Sequence, residues 1–137
     1  MEKILLDTHI FVWMITEQEQ LSEKVHSLIE QYISGRRILI SAITVWEIAM
    51  LVQKNRLQFS LPIKEWVEKA ITTPGVTVIP LSVNILLESC LLPGTFHSDP
   101  ADRMIVATAR IENAAILTRD QLILDYASYG FIVGIKS

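Results

Sequence analysis

The sequence predicts an α/β fold, with a central, mostly parallel sheet of four or five strands and helices on both faces. Two observations support this: short apolar runs alternate with segments of helical spacing, and the runs lack polar alternation. Such runs are typical of strands covered on both faces of a parallel sheet. The length of 137 residues suits one domain, residues 1–137. In folds of this class, reactive side chains gather at the carboxyl ends of the strands.

The first half of the chain supplies two strands, each followed by a helical pattern. The first strand stops at Asp7 and Thr8, and the second helix is bounded by Ser22 and Gly35. Thr44 and Glu47 have the spacing of a capping box at the start of the third helix. The predicted elements are a strand at 3–6, helices at 9–15 and 22–35, a strand at 38–40 and a helix to about 55.

The second half contains the segment that best anchors the prediction, residues 97–110. Asp99 followed by Pro100 predicts a helix start, because aspartate caps helices and proline is well tolerated at the first helical position. The predicted elements are weak strand pairing at 57–61, a helix from 62, a strand at 76–80, helices at 82–91 and 99–113, a strand at 115–118, a helix at 121–126 and a strand at 131–133.

Composition excludes several classes of protein. Half of the residues are hydrophobic and 20% are charged, so the chain is not disordered. No apolar run is long enough to span a membrane, and the amino terminus lacks the pattern of a secretory signal. Cys90 is the only cysteine, which leaves no internal disulfide and predicts a reduced, cytoplasmic protein. The net charge of −3 argues against non-specific coating of nucleic acid but permits a local basic rim.

Four acids lie at or near strand-to-helix junctions: Asp7, Glu47, Asp102 and Asp120. Each alone is explained by helix capping or by interaction with a helix dipole. If the four converge on one edge of the sheet, their repulsion requires a cation among them. Mg²⁺ or Mn²⁺ suits a set of carboxylates, and ions held this way activate water for phosphodiester hydrolysis.

Four segments, in order, resemble the PIN-domain ribonucleases, most closely the VapC-type toxins of prokaryotic toxin–antitoxin pairs. The resemblance spans nearly the whole chain, and its most specific part is the block from His97 to Arg103. The segments are Leu-Leu-Asp7-Thr8-His, Thr44-Val-Trp-Glu47, His97-Ser-Asp99-Pro-Ala-Asp102-Arg103 and Leu-Thr118-Arg-Asp120.

The resemblance implies a metal-dependent endoribonuclease that cleaves single-stranded or loop RNA. The catalytic, metal-binding acids would be Asp7, Glu47, Asp102 and Asp120, with one or two Mg²⁺ or Mn²⁺ ions. Thr8, Asp99 and Thr118 would be supporting residues, although Asp99 already has a role as a helix cap. We expect Arg103 to pair with a neighbouring carboxylate rather than with RNA phosphate.

The resemblance also implies partners. The candidates for RNA contact are Arg36, Arg37, Lys54, Arg56 and Arg119. An antitoxin segment would lie in a groove that obstructs the acids, and a homodimer would cover excess apolar surface. Trp13, Trp46, Met50 and Trp66 are the candidates for lining that groove, although core packing explains each of them equally well.

Three other functions compete with the toxin. The first is a housekeeping RNA-processing nuclease without an antitoxin, and a neighbouring gene for a DNA-binding protein would argue against it. The second is a catalytically inactive PIN-like binding module, which has no need for all four acids. The third is a response-regulator-like domain. That domain requires a lysine after the late strand, where this chain has Thr118-Arg119-Asp120.

Overall fold

The computed structural model describes residues 2–137 and has at its centre a sheet of five strands. The strand order is β3-β2-β1-β4-β5, and every neighbouring pair is parallel. The prediction of an α/β fold with a parallel sheet is therefore confirmed. The strands are β1 (Ile4–Leu6), β2 (Ile38–Ser41), β3 (Val76–Ile79), β4 (Ala115–Thr118) and β5 (Gly134–Lys136).

Helices connect the strands and cover both faces of the sheet. Most of them begin at a serine or aspartate whose side chain accepts a hydrogen bond from the first turn, as capping chemistry requires. The helices are α1 (Thr8–Thr16), α2 (Glu23–Ser34), α3 (Ala42–Gln53), α4 (Ile63–Ile71), α5 (Val83–Cys90), α6 (Pro100–Glu112) and α7 (Gln121–Ser128), with a short 3-10 helix at Gln18–Gln20.

The sheet separates two hydrophobic clusters, which explains the apolar runs in the sequence. Along β1, Ile4 and Leu6 belong to the cluster with α1 to α4, whereas Leu5 belongs to the cluster with α5 to α7. All three side chains are fully buried. Successive side chains of a strand point to opposite faces, so a strand covered on both sides needs apolar residues at every position.

The chain reverses its direction of travel across the sheet between β3 and β4, which places β4 beside β1. Right-handed crossovers put the helices before the reversal on one face and those after it on the other. The reversal creates a switch point between β1 and β4, and ligands of open α/β sheets bind at the carboxyl ends of the strands at such a point. Asp7 directly follows β1, and Thr118 ends β4.

Two predicted segments differ from the structure. The last strand is Gly134–Lys136 instead of 131–133, because Phe131 and Ile132 pack as a loop against the second cluster. Residues 57–61 form no strand, and Phe59 instead stacks on Trp66 with ring centroids 4.1 Å apart. In both segments, large apolar side chains such as Phe59 and Ile132 pack on the core from a loop. Within residues 2–137, no helix is long and apolar enough to cross a membrane.

Candidate active site

Asp7 lies at the carboxyl end of β1, where the strand turns directly into α1. Its Oδ1 accepts the backbone N–H of Thr8 at 2.8 Å, and its Oδ2 accepts the hydroxyl of Thr118 at 2.6 Å. The Thr118 hydroxyl oxygen in turn accepts the N–H of Asp120 at 2.9 Å. One threonine at the end of β4 therefore fixes an acid from β1 and positions the backbone of a second acid.

Glu47 reaches the same edge from the second turn of α3. The Thr8 hydroxyl donates to its Oε1 at 2.6 Å and lies 3.3 Å from the buried hydroxyl of Thr44. The predicted capping box of Thr44 and Glu47 is wrong, because α3 begins earlier and Ser41 caps it by accepting the N–H of Ile43 at 3.2 Å. Glu47 is therefore free of a capping role and is held across the sheet edge by the threonine that follows Asp7.

Asp99 and Asp102 lie at the start of α6, as predicted. Asp99 caps the helix through the N–H of Asp102 at 2.9 Å, with Pro100 at the first helical position. Asp102 Oδ2 lies 3.1 Å from Nε2 of His97, a contact that lacks hydrogen-bond alignment. His97 Nδ1 accepts the N–H of Asp99 at 3.3 Å, so the neutral ring carries its proton on Nε2, facing Asp102.

His97 belongs to the motif block, but no sequence pattern assigns it a role. It lies in the loop before α6, and no periodicity links it to an acid five residues later. Its short distance from the cap residue Asp99 is the one local signal, since side chains near a cap often bond to its backbone.

Asp120 completes the group by capping α7 through the N–H of Leu122 at 2.8 Å. All four acids predicted as catalytic, together with Asp99, therefore lie close enough to interact electrostatically. We call this group the acidic mouth; its members are Asp7, Glu47, Asp99, Asp102 and Asp120.

Three carboxylates of the acidic mouth have a raised pKa. Burial raises the pKa of Asp102 most, and the other four acids add to it, so that the value reaches about 7. Burial also raises the pKa of Asp7 against the opposing effect of the Thr118 hydrogen bond, and raises that of Glu47 against the bond from Thr8. The folded protein therefore holds these negative charges at a cost that a cation would relieve.

The donor set fits a hard divalent cation. The mouth offers only carboxylate oxygens, the ligands that Mg²⁺ and Mn²⁺ prefer. Within residues 2–137, no three His, Cys, Asp or Glu side chains are clustered tightly enough to hold an ion by themselves. The acids nevertheless lie close enough for the charges of the other four to raise the pKa of Asp102. Mg²⁺ usually keeps several waters and binds through one or two carboxylates, so a hydrated ion suits the mouth.

Arg103 does not pair with a carboxylate, contrary to expectation. Its guanidinium donates to the backbone carbonyls of Ser89, Phe96 and His97 at 2.7, 3.0 and 3.1 Å. The carbonyls at the end of α5 and in the next loop lack helical partners, and a half-buried arginine satisfies them. Arg103 thus holds the loop that carries His97.

The other candidate residues divide between the mouth and the rest of the molecule. Trp66 is only 5% exposed and belongs to the core, so it does not line a groove. Arg36 and Arg37 precede β2 and therefore lie at the sheet edge opposite the acids. The candidates near the acids are Trp46, Met50, Lys54 and Arg56, which line a groove of about 300 Å³ with Glu47 and Asp99, and Arg119, which lies between Thr118 and Asp120.

The family model of the PIN domain matches residues 4–128. This chain belongs to the PIN domain family. Over 121 residues, the PIN domain is 29% identical to Ribonuclease VapC22 of Mycobacterium tuberculosis, covering 88% of this chain and 89% of that protein.

Solved structures share the fold of this PIN domain at lower sequence identity. A chain of VapBC2 from Rickettsia felis, bound to a DNA fragment from its promoter, has a TM-score of 0.71 and 17% identity, with 97% of each chain covered. A chain of FitAcB from Neisseria gonorrhoeae has a TM-score of 0.67 and 21% identity, with 96% of each chain covered. The likeness extends over nearly the whole molecule, which supports the assignment of the fold.

Proposed function

We propose that this PIN domain is a metal-dependent endoribonuclease that hydrolyses phosphodiester bonds in single-stranded or loop RNA. The observation that carries the proposal is the acidic mouth, where burial and neighbouring carboxylates raise the pKa of Asp102 to about 7. Charges crowded at a sheet switch point are costly without a cation, and a cation there suits phosphodiester chemistry. A relative named a ribonuclease, matched along 88% of the chain, supports the same activity.

The proposed ligands of Mg²⁺ or Mn²⁺ are Asp7, Glu47, Asp102 and Asp120. A bound ion would lower the pKa of a water molecule and neutralise charge on the phosphate. Thr8 and Thr118 orient two of the carboxylates through hydroxyl donors at 2.6 Å and leave further lone pairs for the ion. The imidazole of His97 lies 3.1 Å from a third carboxylate, that of Asp102.

We further propose that the enzyme is the toxin of a toxin–antitoxin pair and acts in the cytoplasm. A toxin–antitoxin complex from Klebsiella pneumoniae contains a chain that shares this fold (TM-score 0.64, 20% identity, 96% of each chain covered), which supports an antitoxin partner. The groove beside Glu47 suits an antitoxin segment, because Trp46 is 53% exposed there and Met50 is half-buried. An occupant of this groove would lie beside the acids and obstruct them.

A homodimer is the proposed assembly. Its support is an exposed apolar row along α5 and its C-cap residue, where Val83, Leu87 and Leu91 are 71%, 57% and 72% exposed. Single exposed apolar residues are ordinary, but a row on one helix is typical of an interaction surface.

The test compares cleavage of single-stranded RNA by wild type, Asp7→Asn and Asp102→Asn in Mn²⁺. We expect loss of cleavage in both variants, with the unfolding midpoint in metal-free buffer unchanged or raised because carboxylate repulsion is relieved. Mg²⁺ or Mn²⁺ should raise the midpoint of the wild type, since a ligand that binds only the folded state stabilises it. Glu68→Gln, an exposed acid on α4, is the matched control and should cleave like the wild type.

Wild-type cleavage by Asp7→Asn, or no shift of the midpoint at millimolar metal, would contradict the assignment. Induced expression of wild type and Asp7→Asn then tests toxicity, with growth arrest and RNA fragmentation read together. Growth arrest by wild type alone, relieved by co-expression of the product of a neighbouring small gene, supports the toxin.

A further inference from the structure

We propose that a pocket beside the acidic mouth binds one nucleotide of the single-stranded RNA, next to the phosphodiester bond that is cleaved. We call it the Arg119 pocket; its walls are Trp13, Gln20, Leu21, Ser22, Arg119, Lys136 and Ser137, and its volume is about 270 Å³. The proposal rests on the proposed nuclease function and adds where the substrate strand is held.

Backbone connections place the Arg119 pocket at the same sheet edge as the acids. Arg119 lies between Thr118, which donates to Asp7, and Asp120, which caps α7. Lys136 pairs in register with Thr118 across β4 and β5. Arg119 is therefore adjacent in sequence to Asp120, a proposed metal ligand. Lys136 lies on β5, the strand next to β4.

The cations of the pocket have no carboxylate partner. Among residues 2–137, neither Arg119 nor Lys136 lies within ion-pair distance of an acid, although acids outnumber bases in this chain. Arg110 shows the contrast, since Glu88 accepts its Nε hydrogen bond at 2.8 Å beside another pocket. Exposed, unpaired cations at the flank of an acidic site are suited to hold the phosphates that lead into it.

Trp13 supplies an aromatic surface beside these cations. It is half-buried on α1, and the Arg119 guanidinium carbon lies 5.0 Å from its ring centroid. The exposed ring of His9 lies 6.1 Å from the same indole. Proteins bind single strands by combining a positive groove with aromatic rings or guanidinium groups on which bases stack. The size of the pocket, just below the usual range for small-ligand sites, suits one base.

Cationic side chains on the other side of the acidic mouth could contact the same RNA strand. Lys54 and Arg56 line the groove that contains Glu47 and Asp99. Cations therefore lie on both sides of the acids, and a single strand that contacts both would carry its scissile phosphate across the mouth. The Arg119 pocket has only two apolar wall residues, Trp13 and Leu21, so it offers little to an apolar peptide anchor.

The test measures binding of fluorescein-labelled oligouridylate by anisotropy in EDTA, where the RNA is not cleaved. The variants are Trp13→Leu and the double change Arg119→Ala with Lys136→Ala. The matched control is Lys64→Ala with Lys69→Ala, two exposed lysines on α4. We expect binding by Trp13→Leu to weaken about tenfold or more, from loss of stacking. The pocket double variant should reduce the slope of log affinity against log salt by about 1.4, from two phosphate contacts, and the control should change neither quantity.

Cleavage in Mn²⁺ separates the two proposals. Cleavage by wild type, with a KM raised more than kcat is lowered in the pocket double variant, supports the pocket. If the wild type cleaves RNA but the pocket double variant has the same RNA affinity and salt slope as the control, the pocket proposal is wrong and the nuclease proposal stands. A wild type that neither binds nor cleaves RNA overturns the nuclease proposal and with it this one.

If the pocket double variant keeps its RNA affinity but loses affinity for an acidic peptide, the pocket is a peptide site and the proposal is wrong. Unfolding midpoints show whether Trp13→Leu is folded, and the double variant tests the pocket independently.

Discussion

The acids of the mouth form two groups that accommodate their charge differently. Asp99 and Asp120 accept backbone N–H groups two or three residues ahead, at the starts of α6 and α7. Asp7 also caps a helix, α1, but it accepts the hydroxyl of Thr118 as well; Glu47 accepts the hydroxyl of Thr8, and Asp102 faces an imidazole. A helix N-terminus carries partial positive charge, whereas a hydroxyl is a neutral donor. The inner three, Asp7, Glu47 and Asp102, have a raised pKa because they are buried, and they therefore gain most from an added cation.

The largest effect should come from exchanging the capping acids for serine, which caps helices equally well but carries no charge. Asp120→Ser should keep the unfolding midpoint yet lose more than the roughly 10–100-fold of activity that outer supporting residues provide. Asp99→Ser should keep both the midpoint and most of the activity. RNA cleavage rates and thermal unfolding measure the two effects separately. Full activity in Asp120→Ser would show that Asp120 serves only as a helix cap and would remove it from the proposed ligands.

A smaller effect should follow from removing the hydroxyl that fixes an inner acid. Thr118→Val keeps the shape of the side chain but leaves Asp7 Oδ2 without its donor. We expect Mn²⁺ affinity and activity to fall about 10–100-fold, as for other residues that orient metal ligands. Calorimetric titration with Mn²⁺ and cleavage rates give the two numbers. Thr16→Val is the control, because that hydroxyl bonds only to a carbonyl of its own helix. An equal loss in both variants would show a general effect on the fold.

The smallest effect concerns the dependence of stability on pH. The pKa of Asp102 is about 7 in the folded protein against 3.8 as its ordinary value, so protonation favours the folded state. That contribution is complete below about pH 4 and is lost as the pH rises through about 7. Without metal, the midpoint should therefore fall by a few degrees between these values, and Asp102→Asn should fall less. Thermal unfolding in EDTA across this range measures the slope. A midpoint that rises with pH in the wild type would contradict the uncompensated charge of the inner acids.

The sequence predicts the position of Asp7 and Asp120 well, because each follows a short buried run that ends a strand. Parallel strands align their carboxyl ends, so acids far apart in the chain meet by a general rule of the fold. The contacts that distinguish the two groups of acids are harder to predict from the sequence. Thr44 and Glu47 match a local capping pattern, but Ser41 starts the helix and a threonine from another element binds the glutamate. Local patterns do not reveal which of two bonding partners a side chain takes.

Burial and pairing are also ambiguous in sequence. The apolar residues 131–133 suit a strand, yet Phe131 and Ile132 cover the second cluster as a loop, and β5 begins only at Gly134. A side chain added at Gly134 would approach the Cβ of Ala127 to 3.0 Å, so the close approach of β5 to α7 favours glycine. Hydropathy likewise did not distinguish Trp66, which lies in the core, from Trp46, which is exposed. These choices depend on which element packs above each residue.

The hydrogen bond from Thr118 to Asp7 joins positions 111 residues apart. During synthesis, the first acid leaves the ribosome long before the threonine that orients it. A nascent chain therefore lacks an assembled acidic mouth until β4 has been translated and has docked beside β1. We expect prematurely terminated products that end before β4 to be harmless to the cell that makes them. If the proposed antitoxin exists, late completion of the acidic mouth would give it time to be present when the enzyme first becomes competent.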